Sequence, residues 1–274
     1  MSEHFVSFRS SRFHYSRWGT GRRLLFAFHG YGESAASFGF LSAALAQDFT
    51  MIAIDMPFHG ETEWKEEILF APPDLLSLLV DIASELAGGN EEWTLIGYSM
   101  GGRVALQLAE LAPEKIRWLV LLAPDGLRVN PWYWLSTQTR PGNGLFSYTM
   151  RHPGWFFFLL RAANYLRMVN PSVYKFTLHY IDDAEARRLL YTRWTVMSGF
   201  NPRPGPVSDI VRRRRIPVHL LYGRFDRIIP SQRGQTFQRR CAPYCQLTVL
   251  PAGHQLLQSK FMEIIVSALY LPII

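Results

Sequence analysis

The residues best placed to do chemistry are one serine, one histidine and one aspartate, far apart in the chain. Ser99 stands in Gly97-Tyr98-Ser99-Met100-Gly101, a Gly-x-Ser-x-Gly string. A serine hydroxyl is a poor nucleophile near neutral pH, so it needs a base to take its proton and a group to hold that base. His254, in Pro251-Ala252-Gly253-His254, is the candidate base, and Asp226, in Gly223-Arg224-Phe225-Asp226, is the candidate acid that orients it. Such a set attacks carbonyl carbon and forms an acyl intermediate.

The string by itself is weak, because a chain with 20 glycines in 274 residues meets it by chance in roughly one case in ten. Its context is stronger. It falls where an apolar run, 93–96, meets a segment of helical period, 100–111, so Ser99 caps a strand-to-helix turn. Flanking glycines suit a strained turn in which neighbouring side chains would collide. The remaining need is a pair of backbone N–H groups aimed at the oxygen that becomes negative during attack. His29-Gly30-Tyr31-Gly32 follows the apolar run 24–28, and the expected donors are the amides of Tyr31 and Met100. The side chain of His29 is read as hydrogen-bonded within its own loop.

These residues need a frame that brings distant segments to one edge. Short β-rich runs at 24–28, 51–54, 93–96 and 116–122 alternate with helical periods, the pattern of a mainly parallel sheet covered by helices. Phe38, Leu41, Ala44 and Leu45 recur at helical spacing between the first two runs. A helix opens at Pro72 and runs to Leu86, where Gly88-Gly89-Asn90 ends it. From 127 to 205 the grammar changes to helical periods rich in aromatics and arginines, and Pro202, Pro204 and Pro206 stiffen the exit. The strand-helix pattern then resumes with 218–222, a helix at 231–240, 247–250 and a final helix after His254. Parallel strands end on one edge, so side chains that follow three of them can converge.

Composition narrows the classes. A hydrophobic fraction of 48% and a charged fraction of 19% fit a globular chain with a large core. No apolar run reaches bilayer length, since 155–160 is closed by Arg161. The first residues carry no basic-then-apolar leader, so the expected location is the cytoplasm. Cys241 and Cys245, without a ligand cluster, read as structural rather than as a zinc site or disulfide framework. The net charge of +7 permits an acidic partner, but Arg212 to Arg215 reads as a solvated helix end, and no nucleic-acid motif accompanies it.

At this point the chain resembles the α/β-hydrolases with a helical cap, a group that includes carboxylesterases, biotin-pathway methyl ester esterases, thioesterases and carbon–carbon bond hydrolases. Five ordered motifs carry the resemblance: His29 to Gly32, Asp55-Met56-Pro57-Phe58-His59-Gly60, Gly97 to Gly102, Gly223 to Asp226 with Pro230, and Gly253-His254. It implies the α/β-hydrolase fold, an eight-stranded and mostly parallel sheet flanked by helices. It also implies a core of 1–126 and 206–274, a cap at 127–205, and Ser99, Asp226 and His254 as the triad. No cofactor or metal is implied. Two residues compete within the resemblance: His59 with His254, although its turn is a structural loop in the family, and Asp125 with Asp226, because some members draw their acid from the strand before it.

The expected substrate is a small or medium carboxylic ester or thioester. A carbon–carbon bond hydrolase would use the same triad on a ketone, and a non-catalytic receptor would keep the fold for binding. Trp132, Tyr133, Trp134, Trp155, Phe156, Phe157, Phe158 and Tyr165 give the inserted segment aromatic surface for packing or for roofing an acyl group. Arg128, Arg140, Arg151, Arg161, Arg167, Arg187, Arg188 and Arg193 make it basic, which suits an anionic or carrier-linked substrate.

Overall fold

The computed structural model describes residues 2–87, 92–128, 130–169, 174, 178 and 181–270. Eight strands form one sheet: β1 (Ser2–Phe8), β2 (Ser11–Trp18), β3 (Arg23–Phe28), β4 (Phe49–Ile54), β5 (Trp93–Tyr98), β6 (Ile116–Leu122), β7 (Val218–Gly223) and β8 (Cys245–Leu250). Their order in space is β1-β2-β4-β3-β5-β6-β7-β8. From β4 to β8 in this order every neighbouring pair is parallel, and the two antiparallel pairs are β1–β2 and β2–β4. Every residue of β4, β5 and β7 is buried, as expected of strands covered on both faces, which read as unbroken apolar runs rather than alternating ones.

The helices bounded among the described residues are α1 (Ser42–Leu45), α2 (Pro72–Ala87), α3 (Met100–Leu111), α4 (Pro131–Gln138), α5 (Arg140–Arg151), α6 (Gly154–Tyr165), α7 (Ala184–Val196), α8 (Pro204–Arg214), α9 (Gln232–Cys241) and α10 (Met262–Tyr270). The helical spacing around Phe38 resolves mostly into a 3-10 helix, Ala35–Leu41, with only one turn of α1 after it. Phe38 and Leu41 are both buried, and their separation of three matches the three-residue turn of that helix. The Gly88-Gly89-Asn90 stop lies outside the described residues. Pro204 and Pro206 open α8 instead of stiffening a linker, with Pro204 in the first turn, where a missing N–H costs nothing. Arg212, Arg213 and Arg214 form the exposed last turn of α8, and Arg215 closes it in the left-handed region. Positive charge there complements the helix dipole.

The chain divides into two compact units, Met1–Arg128 with Gly199–Ile274, and Val129–Ser198. The first holds the whole sheet. The second has a small core of its own, in which Tyr133 and Phe146 both pack on Trp194, and Tyr191 packs on Phe146. Arg187 ties α7 to α5 by donating to the Met150 carbonyl. Among the described residues no helix is long and apolar enough to cross a membrane. Cys241 and Cys245 are both free and buried. Burial pushes the Cys241 thiol up to about 12 and moves Cys245 in the same direction.

Candidate active site

Ser99 occupies the turn between β5 and α3 with φ 51° and ψ −112°, a backbone that L side chains rarely adopt and that costs on the order of 1–3 kcal/mol. The surroundings hold it there. Its N–H donates to the Leu122 carbonyl at 2.9 Å, and its carbonyl accepts from Gly102 at 3.0 Å and Asp125 at 2.9 Å. The glycines are steric requirements: a Cβ on Gly101 would enter the Phe28 carbonyl, and one on Gly97 would meet the Gly101 carbonyl. The turn therefore packs backbone against backbone, which explains why glycines flank this serine.

β7 and β8 deliver the other two residues. Asp226 follows β7 with a fully buried carboxylate, and His254 follows β8 with 14% of its side chain exposed. His254 Nδ1 lies 2.7 Å from Asp226 Oδ2, and Nε2 lies 3.0 Å from Ser99 Oγ. The other carboxylate oxygen, Oδ1, accepts the amides of Ile228 at 2.8 Å and Ile229 at 2.9 Å. Those two amides fix the carboxylate plane before the imidazole meets it. With Nδ1–H donating to Asp226, the lone pair of Nε2 faces the serine hydroxyl, which donates to it.

Register places the two expected oxyanion donors on one edge. β3 and β5 are paired with Phe28 opposite Gly97, and Tyr31 and Met100 each follow three residues later. Met100 opens α3, and the first amides of a helix have no intrahelical acceptor. His29 is held as the sequence suggests and also reaches beyond its loop: Nδ1–H donates to the Gly30 carbonyl at 2.8 Å, and Nε2 accepts the Met56 amide at 3.1 Å. It thereby ties the loop after β3 to the loop after β4. His59 is buried with Nδ1–H donating to the Pro57 carbonyl at 2.9 Å, a turn-holding contact. Asp55 pins the same region, accepting from His14 at 2.7 Å, the Ala35 amide at 2.6 Å and the Glu61 amide at 2.9 Å.

Asp125 follows β6 but meets Arg103 and the amide of Gly126, not His254. Burial would raise this carboxyl, yet the Arg103 guanidinium beside it outweighs burial and holds it below the usual carboxylate range. Glu33 went unnoticed in the sequence, where it reads as one more polar loop residue. Its Oε2 is buried without a hydrogen-bond partner among the described residues and lies 3.5 Å from where a Cβ of Gly30 would stand. Burial pushes the Glu33 carboxyl up, while the Gly30 amide and His254 pull it back toward ionisation. The Tyr98 ring also touches the Gly30 position and lies tilted against the His254 ring, with centroids 5.5 Å apart. Glu33, Gly30, Tyr98 and His254 thus form one cluster, which no spacing rule would have revealed.

The fold and this edge define a class. A model of the alpha/beta hydrolase family matches residues 24–263, and the chain belongs to that family. Among curated relatives it is 26% identical over 243 residues to a pimeloyl-[acyl-carrier protein] methyl ester esterase of Nitrosomonas europaea, covering 82% of this chain and 86% of that one. It is 32% identical over 106 residues to an esterase of Mycobacterium tuberculosis, covering 39% of this chain and 34% of that one. A hydrolase of Bacillus subtilis of uncharacterised activity gives 32% over 106 residues, so the match spans only 38% of that relative's length. Solved structures share the fold: a probable hydrolytic enzyme of Pseudomonas aeruginosa has a TM-score of 0.69 at 18% identity, covering 98% of this chain and 95% of that one. A thioesterase domain from the curacin biosynthetic pathway has a TM-score of 0.63 at 19% identity, covering 98% and 99%.

Proposed function

We propose that the protein is a serine hydrolase that cleaves a carboxylic ester or thioester of a small or medium acyl group through an acyl-enzyme. The observation that carries this reading is the continuous chain from Ser99 Oγ to His254 Nε2 and from Nδ1 to Asp226 Oδ2, at 3.0 and 2.7 Å. In this reading Ser99 Oγ attacks the carbonyl carbon while Nε2 takes its proton. Asp226 accepts Nδ1–H throughout, holding the productive tautomer and stabilising the imidazolium. The amides of Tyr31 and Met100 receive the developing oxyanion. Collapse expels the alcohol or thiol, which takes the proton from Nε2–H. Water, deprotonated by the same nitrogen, then releases the acid and restores Ser99.

The names of the relatives support an ester or thioester over a ketone, since one acts on a methyl ester of a carrier-linked acyl group and one fold neighbour is a thioesterase domain. The arginines of the second unit favour an anionic or carrier-linked substrate, and we assign residues 127–205 as the helical cap insertion. A fluorophosphonate probe tests the core of the reading, because an activated serine attacks tetrahedral phosphorus. Intact mass should show one adduct, peptide mapping should place it on Ser99, and Ser99→Ala should abolish both labelling and hydrolysis of p-nitrophenyl esters. An adduct on another serine, or full activity in Ser99→Ala, would sink the assignment.

A further inference from the structure

Among the described residues, helix α6 carries an exposed apolar stripe. Its sequence, Gly-Trp-Phe-Phe-Phe-Leu-Leu-Arg-Ala-Ala-Asn-Tyr, is apolar around most of its circumference, yet none of its residues is buried. A helix apolar all round is ordinarily enclosed by other protein or by lipid. Exposure here follows the helical repeat: Trp155, Phe158, Leu159, Ala162, Tyr165 and Leu166 are exposed, while Phe156, Phe157, Leu160 and Ala163 between them are partly covered. Phe158 is 72% exposed and Tyr165 86%. A contiguous stripe of this kind marks an interaction surface rather than the scattered apolar residues of an ordinary exterior.

Charge identifies what would lie against it. No Asp or Glu occurs from residue 126 to residue 181, and Arg161 and Arg167 stand exposed beside the stripe. A second copy placed face to face would bring arginines against arginines with no local acid to pair them. An anionic bilayer meets both features. The acyl boundary receives the apolar stripe, the headgroup phosphates receive the guanidinium groups, and Trp155 and Tyr165 suit the level between. We propose that α6 is the surface by which this protein lies on an anionic lipid bilayer, without crossing it. The proposal does not depend on the catalytic reading.

Cosedimentation with vesicles tests it. The full chain should bind vesicles of phosphatidylcholine mixed with phosphatidylserine, bind phosphatidylcholine alone far less, and lose binding as salt is raised. Phe158→Ser with Leu159→Ser should weaken partition by roughly tenfold or more, and Arg161→Gln with Arg167→Gln by about fivefold per arginine. Circular dichroism and melting curves show whether each variant is folded. Should the double serine variant not fold, bromine-labelled acyl chains give the answer on the unaltered protein by quenching tryptophan emission. Absence of both cosedimentation and quenching overturns the proposal. So does a doubled mass in sedimentation equilibrium that Phe158→Ser with Leu159→Ser returns to the single chain, since the stripe would then be a dimer face.

Discussion

Asp226 and Asp125 each follow a parallel strand, and their neighbours set them to different tasks. Asp226 gives Oδ2 to His254 and Oδ1 to two amides, whereas Asp125 is taken by Arg103. An asparagine at 226 keeps the shape but favours the wrong imidazole tautomer, so Asp226→Asn should lower kcat by roughly a thousandfold or more, about 4 kcal/mol, without unfolding the protein. Asp125→Asn should leave most of kcat and cost about 2 kcal/mol of stability at neutral pH. The sign follows from the lowered carboxyl: its contribution is present above the unfolded value near 3.8 and is lost as pH falls through the folded one. Paired urea melts at neutral and acid pH would show the two proteins converging, and the reverse order of kcat losses would move the acid to Asp125. Glu33 runs the other way. Burial raises it, so its favourable contribution exists below the unfolded value and is lost as pH rises through the folded one. Glu33→Gln should therefore raise the neutral-pH melting temperature by about 1–2 °C, a gain that fades at acid pH. If the carboxylate helps the imidazolium of His254, the same variant should lose kcat/KM while gaining stability. A loss of both together would mark a purely structural residue. The meeting of Ser99, His254 and Asp226 was legible because each follows a strand within a short motif. Glu33 was not, since no one-dimensional signal says that a polar loop side chain turns inward.

The frame that carries these residues depends on a few close backbone approaches. Gly101 lets α3 begin against the end of β3, where a Cβ would enter the Phe28 carbonyl. Gly101→Ala has no flexible side chain to push aside and must move one backbone against the other. We expect about 3 kcal/mol of destabilisation, or a drop of roughly 6–12 °C in melting temperature, measurable by calorimetry. An unchanged melting point would mean that the turn relaxes without cost. The six parallel strands were readable from their apolar runs. The β1–β2 hairpin was not, because its turn at Arg9 and Ser10 lacks glycine and asparagine and uses Arg9 at φ 53°. Its strands also mix polar and apolar residues, as in Ser11-Arg-Phe-His-Tyr-Ser-Arg-Trp18. Likewise, periodicity could not separate a 3-10 helix from an α-helix over 35–41, since spacings of three belong to both.

Across the whole molecule, 29 basic residues against 22 acidic ones leave a net charge of +7. Exposed charges of one sign raise the encounter rate of oppositely charged ligands, and salt screens them over about 8 Å at physiological ionic strength. Among esters of one acyl length, anionic members should therefore show the higher kcat/KM at low salt, with the advantage falling as salt is added. Equal values for neutral and anionic esters at low salt would remove this preference. The division into units at 129 and 198 has a practical side that follows from the two thiols. Cys241 and Cys245 are the chain's only cysteines, and burial keeps both protonated and out of reach. The native protein is therefore a silent background for thiol chemistry. A single cysteine placed at an exposed position of the second unit and another on the sheet-bearing unit would take spin or fluorescent labels cleanly. The distance between them would then follow any motion of one unit against the other through a catalytic cycle, with no native thiol to be deleted first.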